Sequence, residues 1–215
     1  MCIRDRYTAG RQNDTPILVG WNADEGSLFI QKSSLDDYRS WVNKQFGNFA
    51  QSILYAYPAD NDQQALVSRR NIFRDQSFGW PAWTWANLQT QTGNGAAYVY
   101  YFNQSPPAIP GRPHLGATHA MDMFYVFKNL MPIFDWTDGD RNVSETMSSY
   151  WINFIRTRNP NGMGLPEWQE WSINAPIDMH FENGACAAKP GVPNAPQMQA
   201  IDAHFKSLRQ SPGDL

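Results

Sequence analysis

The sequence contains few cysteines, and this scarcity excludes several classes of protein. Only Cys2 and Cys186 are present among the 215 residues, and they lie near opposite ends of the chain. Their spacing is not that of a zinc site, and two distant thiols do not make the disulfide framework of a small secreted domain. We therefore expect no metal ion and interpret both residues as ordinary thiols.

The chain also lacks an excess of charge of one sign and any long apolar run. Its formal net charge is −3, with Lys and Arg scattered along the sequence, so it has no basic patch of the kind that binds nucleic acid or an anionic membrane. No stretch reaches the roughly 18 to 20 apolar residues that span a bilayer. The opening MCIRDRYTAG has no apolar core of a signal peptide. With 42% hydrophobic residues, the composition is that of a folded globular protein.

Two short apolar runs are typical of strands buried on both faces. The first is TPILVGWNA, and the second is AAYVYYF, residues Ala96 to Phe102. Continuous runs without alternation are typical of a parallel sheet. A weaker strand candidate, DMHFENG, lies further along the chain.

Helical patterns separate these strands. SLDDYRSWVNKQFG begins with a Ser cap and stops at Gly47, and PAWTWANLQTQTG has Pro81 in its first turn and Gly93 beyond its end. A helix over NVSETMSSYWINFIRTRNPNG is predicted to start at a Ser144 cap. Two more are predicted over NDQQALVSRRNIFRDQSF and PQMQAIDAHFKSLR. This order predicts an α/β fold with a doubly wound, mostly parallel sheet and helical insertions.

The domain organisation follows from the small number of strands. Two convincing buried strands cannot cover the faces of their own sheet. We therefore expect residues 7–215 to be the C-terminal portion of a single, larger α/β domain. Residues 1–6, MCIRDR, have neither strand nor helix period and are interpreted as a non-native leader.

Residues with useful chemistry follow the two strands. Asp24 and Glu25 come directly after the first, and His119 follows the second across a proline-rich connection of about 16 residues. Open α/β sheets carry their active residues in loops beyond the carboxyl ends of strands. The acid precedes the histidine, as in hydrolases with a nucleophile elbow. Adjacent residues on an extended segment point in opposite directions, so we expect only one of the two acids to face His119. On spacing alone, a solvated acidic turn is the alternative.

Three segments together resemble a known family. LVGWNADEGSLF, LGATHAMDMFYVF and YWINFIRTRNPNGMGLPEWQEW are similar to the C-terminal portion of the type B carboxylesterases, α/β-hydrolases that include cholinesterases and bacterial para-nitrobenzyl esterases. The resemblance covers roughly Thr15 to Phe181. It implies that Glu25 is the acid of a catalytic triad and His119 its base. It also favours an extracellular or periplasmic location.

The nucleophile of that family has no match in this sequence. No Gly-x-Ser-x-Gly occurs, and no glycine-rich oxyanion loop is present. The resemblance therefore implies a carboxylic ester hydrolase that uses a Ser-Glu-His triad in the intact protein, needs no cofactor and acts on a small-molecule ester. We expect the chain alone to be inactive, because no serine is placed to form an acyl-enzyme. Its oligomeric state is left open.

The residues beside the two motifs have competing interpretations. Asp24 is expected to bond backbone amides of its own turn. Asp122 either hydrogen-bonds the histidine loop or is an ordinary acid at a helix start. Phe78, Trp80 and Phe124 are expected to line a substrate pocket or to pack in the core.

Three further histidines are weaker candidates for the base than His119. His114 shares its loop but fits no motif position, and His180 and His204 are interpreted as packing or surface residues.

Two other functions remain as alternatives. One is a cholinesterase-like binding or adhesion protein that keeps the fold without catalysis, although such a surface has no reason to retain both Glu25 and His119. The other is a carbohydrate-binding module, suggested by nine tryptophans. The helical stretches disfavour the all-β fold that such a module predicts.

Overall fold

A mostly parallel sheet organises the protein. The computed structural model describes residues 3–210. Within these residues four strands form one sheet, in the order β1 Ile17–Asn22, β2 Ala97–Phe102, β3 Ile177–Glu182 and β4 Ala185–Pro190. The first three run parallel, and β4 is antiparallel to β3. The predicted α/β class is therefore confirmed.

Helices connect and cover the strands. In the described part of the chain the α-helices are α1 Ile3–Thr8, α2 Leu35–Phe46, α3 Ala50–Ala56, α4 Asp62–Arg74, α5 Trp80–Thr92, α6 Met121–Val126, α7 Asp138–Thr157 and α8 Ala195–Gln210. A 3₁₀ turn, Glu25–Ser27, follows β1, and a π-helical turn, Asp75–Gly79, joins α4 to α5. Among the described residues, no helix combines the length and the apolar character that crossing a membrane requires.

The register of β1 and β2 brings their carboxyl ends together. Asn22 at the end of β1 lies opposite Phe102 at the end of β2. The pairing continues beyond the strands, because the Ala23 N–H donates to the Phe102 carbonyl and Asp24 forms a parallel bridge with Thr118. The two loops that carry the candidate residues therefore leave the sheet side by side.

Strand β2 is the centre of the core, which explains its continuous apolar run. Tyr98 and Phe102 are 1% and 0% exposed, and their rings contact Phe154 and Tyr125. The next residue along from Tyr98, Val99, is also fully buried although its side chain points to the other face. Both faces of the strand are thus covered, as expected for a central parallel strand.

All five predicted helices are present among the described residues, but the predicted start of one of them is wrong. Helix α2 is capped by Ser34, and α5 has a proline in its first turn and ends at Gly93. Helix α7 begins at Asp138, well before Ser144, because Thr137 and Asp140 form a capping box at its N-terminus. The capping box was not recognised in the charged segment DGDR. Ser144 is buried inside the helix and donates to the Tyr125 carbonyl.

The elements that were missed include β4 and the helices α1 and α3. Strand β4 follows β3 through Asn183 and Gly184, which both have positive φ, so an Asn-Gly hairpin signal was present in the sequence. Helix α1 covers most of the segment that was predicted to have no regular structure. Residues 1–2, including Cys2, lie outside the described residues, and the leader interpretation stays a prediction.

The edge of the sheet at β1 predicts that the isolated 215-residue chain associates with copies of itself. Strand β1 has one neighbour among the described strands, and beside it lies an apolar cavity of about 700 Å³ whose lining includes Val19, Trp85 and Leu88. An unpaired edge next to apolar surface favours association. We expect sedimentation velocity to show oligomers that grow with concentration. Trp85→Lys should reduce them, whereas Ile155→Lys, at an exposed site on α7 outside the cavity lining, should not.

A monomer at every concentration that unfolds cooperatively would contradict this prediction.

Candidate active site

The turn after β1 holds a carboxylate below the surface. Glu25 is 4% exposed and begins the 3₁₀ turn. Gly26 follows it because a Cβ there would lie 2.3 Å from the Arg70 carbonyl oxygen, so α4 packs directly on the turn. The Glu-Gly pair in the sequence thus has a packing cause.

The loop after β2 brings a histidine to this carboxylate. Glu25 Oε2 lies 2.7 Å from Nδ1 of His119, and the His119 side chain is 39% exposed. An ionised carboxylate can only accept, so the proton of this bond belongs to Nδ1 and leaves Nε2 as an acceptor. No group in residues 3–210 hydrogen-bonds to Nε2.

Opposing effects act on the ionisation of Glu25. Burial raises the pKa of Glu25, and the nearby Asp122 adds to that rise. The Asn22 N–H, which donates to Oε1 at 2.9 Å, and the bond to His119 both oppose it. The carboxylate is therefore costly to ionise, and its two hydrogen bonds offset part of that cost.

Asp24 ties the two loops together, which corrects its expected role. Its Oδ2 accepts from the Ala117 N–H at 2.9 Å, and its own N–H donates to the Ala117 carbonyl at 3.0 Å. The side chain therefore bonds the histidine loop and not its own turn. Gly116 has φ +65, and a Cβ there would lie 2.1 Å from Asp24 Oδ2, so this glycine leaves room for the carboxylate.

Asp122 is an acid at a helix start, and within the described residues its side-chain hydrogen bonds go to strands β1 and β2 and not to the histidine loop. It lies in the first turn of α6, and it accepts from Asn22 Nδ2 at 3.1 Å and from the Tyr100 hydroxyl at 2.8 Å. Burial, followed by Asp122 itself, raises the pKa of Tyr100 well above its usual value, so the hydroxyl stays a donor. Asn22 Nδ2 also donates to the Thr118 carbonyl at 2.8 Å, directly before His119.

Aromatic rings flank the imidazole. The ring centroid of Phe78 lies 4.8 Å from that of His119, and the centroid of Phe29 lies 5.4 Å from it. Phe73 lies 4.9 Å from Phe29 and 6.1 Å from Phe78. We call Phe29, Phe73 and Phe78 the aromatic wall. Phe29 and Phe73 were not predicted from the sequence, although Phe29 follows Glu25 closely in the same motif.

The other two predicted pocket residues, Trp80 and Phe124, do not belong to the aromatic wall. The Trp80 indole donates to Asp202 at 3.1 Å and packs on Phe205, with the centroids 4.3 Å apart. It also lines the apolar cavity beside β1, together with Phe78. Phe124, on α6, is partly buried and packs against the main core.

The remaining histidines have their own local partners. His114 Nε2 lies 2.9 Å from the Pro106 carbonyl oxygen, and His180 Nε2 lies 2.9 Å from Asp178. His204 packs against Phe46, and burial lowers the pKa of this histidine. Across residues 3–210, no group of three or more His, Cys, Asp or Glu side chains is arranged to hold a metal ion.

Comparison with solved structures identifies the fold. The chain superposes on a PNB esterase with a TM-score of 0.72, over 92% of this chain and 40% of that chain, at 23% identity. A thermophilic PNB esterase gives a TM-score of 0.73 with the same coverage at 22% identity. The fold is that of an α/β-hydrolase, as predicted.

The chain belongs to the carboxylesterase family, whose model matches residues 4–199. A phenmedipham hydrolase from Pseudarthrobacter oxydans is 28% identical over 76% of this chain, and a fumonisin B1 esterase from Sphingopyxis macrogoltabida is 30% identical over 80%. The para-nitrobenzyl esterase of Bacillus subtilis is 28% identical over 71%. The chain spans 31% to 35% of the length of these relatives.

Two glycines of the histidine loop provide a matched test of the Asp24 contact. Gly116 and Gly111 both have positive φ, but a Cβ at Gly111 would meet nothing within 4 Å. We expect Gly111→Ala to cost about 1 kcal/mol of unfolding free energy from backbone strain alone. Gly116→Ala should cost about 2 to 4 kcal/mol, because it also displaces the Asp24 carboxylate. Equal losses in urea unfolding would show that the Asp24 contact contributes nothing.

Proposed function

We propose that the protein is a carboxylic ester hydrolase in which Glu25 and His119 are the acid and base of a Ser-Glu-His triad. The observation that carries the proposal is the 2.7 Å contact between Glu25 Oε2 and His119 Nδ1. Membership of the carboxylesterase family supports the reaction class. In this proposal the serine and the oxyanion donors come from a part of the intact protein that this sequence does not contain.

In the proposed reaction the two nitrogen atoms of His119 have different roles. Nε2 accepts the proton of the serine hydroxyl as the serine oxygen attacks the ester carbonyl, and the same proton then passes to the departing alcohol. A water molecule repeats the sequence on the acyl-serine and releases the acid. Glu25 keeps the proton on Nδ1 and stabilises the imidazolium that forms in each half of the reaction.

The aromatic wall supports a substrate with an apolar group beside the ester. Phe29 is 48% exposed although its ring contacts those of His119 and Phe73. An acyl or alcohol group of a small-molecule ester can cover this apolar surface when its carbonyl lies beside Nε2. Two of the relatives are named as esterases of fumonisin B1 and of para-nitrobenzyl esters, which fits this substrate class.

A fluorophosphonate probe, which phosphonylates activated serines, tests the proposal. We expect the intact protein to be labelled and the 215-residue chain alone to remain unlabelled. His119→Ala should slow labelling at least about a thousandfold, because the serine loses its base. His114→Ala is the matched control, since His114 shares the loop but bonds Ser105 and Pro106 instead. An intact protein that resists the probe would instead favour the catalytically silent binding protein.

Glu25→Gln separates the role of the carboxylate from its effect on stability. The Gln amide can donate to Nδ1, which leaves the proton on Nε2 and blocks proton transfer, so kcat should fall about 10⁴-fold. Burial raises the pKa of Glu25, so ionisation opposes folding above the pKa of the unfolded chain. At neutral pH the variant should therefore melt at an equal or higher temperature than the wild type.

This advantage should shrink as the pH falls and the wild-type carboxyl group becomes protonated. Glu145→Gln, at a side chain that is 66% exposed, is the control and should change neither kcat nor melting temperature. A variant that keeps its kcat would contradict the assigned role of Glu25.

A further inference from the structure

A buried ion pair closes the C-terminal end of α4. Arg74 is 6% exposed and Asp75 is 0% exposed. Arg74 Nε and Nη2 donate to the two oxygens of Asp75 at 2.7 and 2.9 Å, and the Tyr57 hydroxyl donates to Asp75 Oδ2 at 2.8 Å. Burial opposes the charge on Arg74, but the neighbouring carboxylate outweighs it and raises the pKa of the guanidinium. The guanidinium is thus a permanently charged donor in a fixed orientation.

The remaining nitrogen of this guanidinium reaches the turn that holds Glu25. Arg74 Nη1 donates to the Ala23 carbonyl at 3.1 Å, and it also donates to Asn71 Oδ1 at 3.1 Å. The other end of the same peptide group, the Asp24 N–H, donates to the Ala117 carbonyl at 3.0 Å. The peptide between Ala23 and Asp24 is therefore fixed at its oxygen by α4 and at its nitrogen by the histidine loop.

Because a buried ion pair adds little net stability, the contribution of Arg74 is better explained by the orientation of the peptide group that it holds. A buried ion pair adds little net stability compared with apolar side chains of the same size, because both charges lose their hydration. What an apolar pair cannot provide is a donor to the Ala23 carbonyl. The peptide group that this donor holds lies directly before Glu25, so its rotation would move the carboxylate relative to His119.

We infer that Arg74 is a positioning residue for Glu25, acting through its bond to the Ala23 carbonyl. Its catalytic consequence depends on the proposed function, whereas its effect on the bond between Glu25 and His119 does not. Loss of the donor should allow the turn to rotate and the carboxylate to leave Nδ1. A misplacement of this kind reduces catalysis more than substrate binding, because the imidazolium forms only during the reaction.

The double variant Arg74→Met/Asp75→Asn tests this inference in the intact protein. It removes both buried charges together and keeps an acceptor for the Tyr57 hydroxyl, so no unpaired charge is left. We expect kcat per labelled serine to fall about tenfold to a hundredfold, with KM changed less than about threefold. Asn71→Ala is the matched control, because it removes the other acceptor of Nη1 and leaves the Ala23 carbonyl bonded; its kcat should match the wild type.

A second measurement does not depend on esterase activity. In protein with ¹⁵N-labelled histidine, the proton between His119 Nδ1 and Glu25 should give a low-field resonance, identified by its loss in Glu25→Gln. The double variant should lose or shift this resonance, and Asn71→Ala should keep it. If the double variant does not fold, Arg74→Lys replaces it, since Lys keeps a charge beside Asp75 but has no planar fork to hold Asp75 and Ala23 together.

The outcomes separate the two proposals. A wild type without esterase activity would overturn the proposed function, while the resonance would still decide the role of Arg74. An unchanged resonance and an unchanged kcat per labelled serine, combined with a lower melting temperature, would show that Arg74 only stabilises the fold.

Discussion

The hydrogen bond between Glu25 and His119 is the constraint on which the site depends. Its two residues are 94 positions apart in the sequence, and they belong to different loops. A strong bond to a carboxylate forms only within about 3 Å, so both loops have to be fixed to within a fraction of an ångström. The parallel pairing of β1 with β2 accounts for the approach of the loops, but it does not by itself account for that accuracy.

The additional accuracy comes from pairing that continues past the ends of the strands. Asp24 and Ala117 exchange two hydrogen bonds, one of which uses the Asp24 side chain. Asn22 and Ser27 each contact Thr118, directly before the histidine, through the Asn22 amide and the Ser27 hydroxyl. The loop that carries His119 is long and irregular. Its segment directly before the histidine is nevertheless held in place, because polar groups at and after the end of β1 make the hydrogen bonds that a neighbouring strand would otherwise make.

The contact between Glu25 and His119 could be predicted because both residues belong to sequence motifs that resemble those of a known family. The aromatic wall was harder to predict, because Phe73 and Phe78 are five positions apart and a regular α-helix would not place such residues together. The π-helical turn Asp75–Gly79 lies between α4 and α5 and brings the two rings within 6.1 Å. Turns of this type are rare, and the 3.6-residue period used to recognise helices does not reveal them.

The partner of Asp24 was mispredicted for a related reason. Sequence neighbours indicate which amides are available locally, but the bond to Ala117 crosses between two loops and depends on the register of β1 with β2. The same limit applies to Arg74, whose bond to the Ala23 carbonyl joins a helix to a turn from an earlier part of the chain. Long-range polar contacts of this kind follow from the fold and cannot be read from local patterns.

The exposure of the two central residues differs in a way that matches the division of labour in the proposed triad. Glu25 is 5% exposed in its side chain, whereas His119 is 39% exposed. The low local dielectric around Glu25 strengthens its bond to Nδ1 and also makes an unbonded carboxylate costly. Both effects favour the state in which Glu25 is bonded to the histidine. The imidazole extends from that buried contact towards the surface, where its second nitrogen can meet groups from outside the chain. A reversed arrangement, with a buried base and an exposed acid, would retain the hydrogen bond and prevent proton transfer to a substrate.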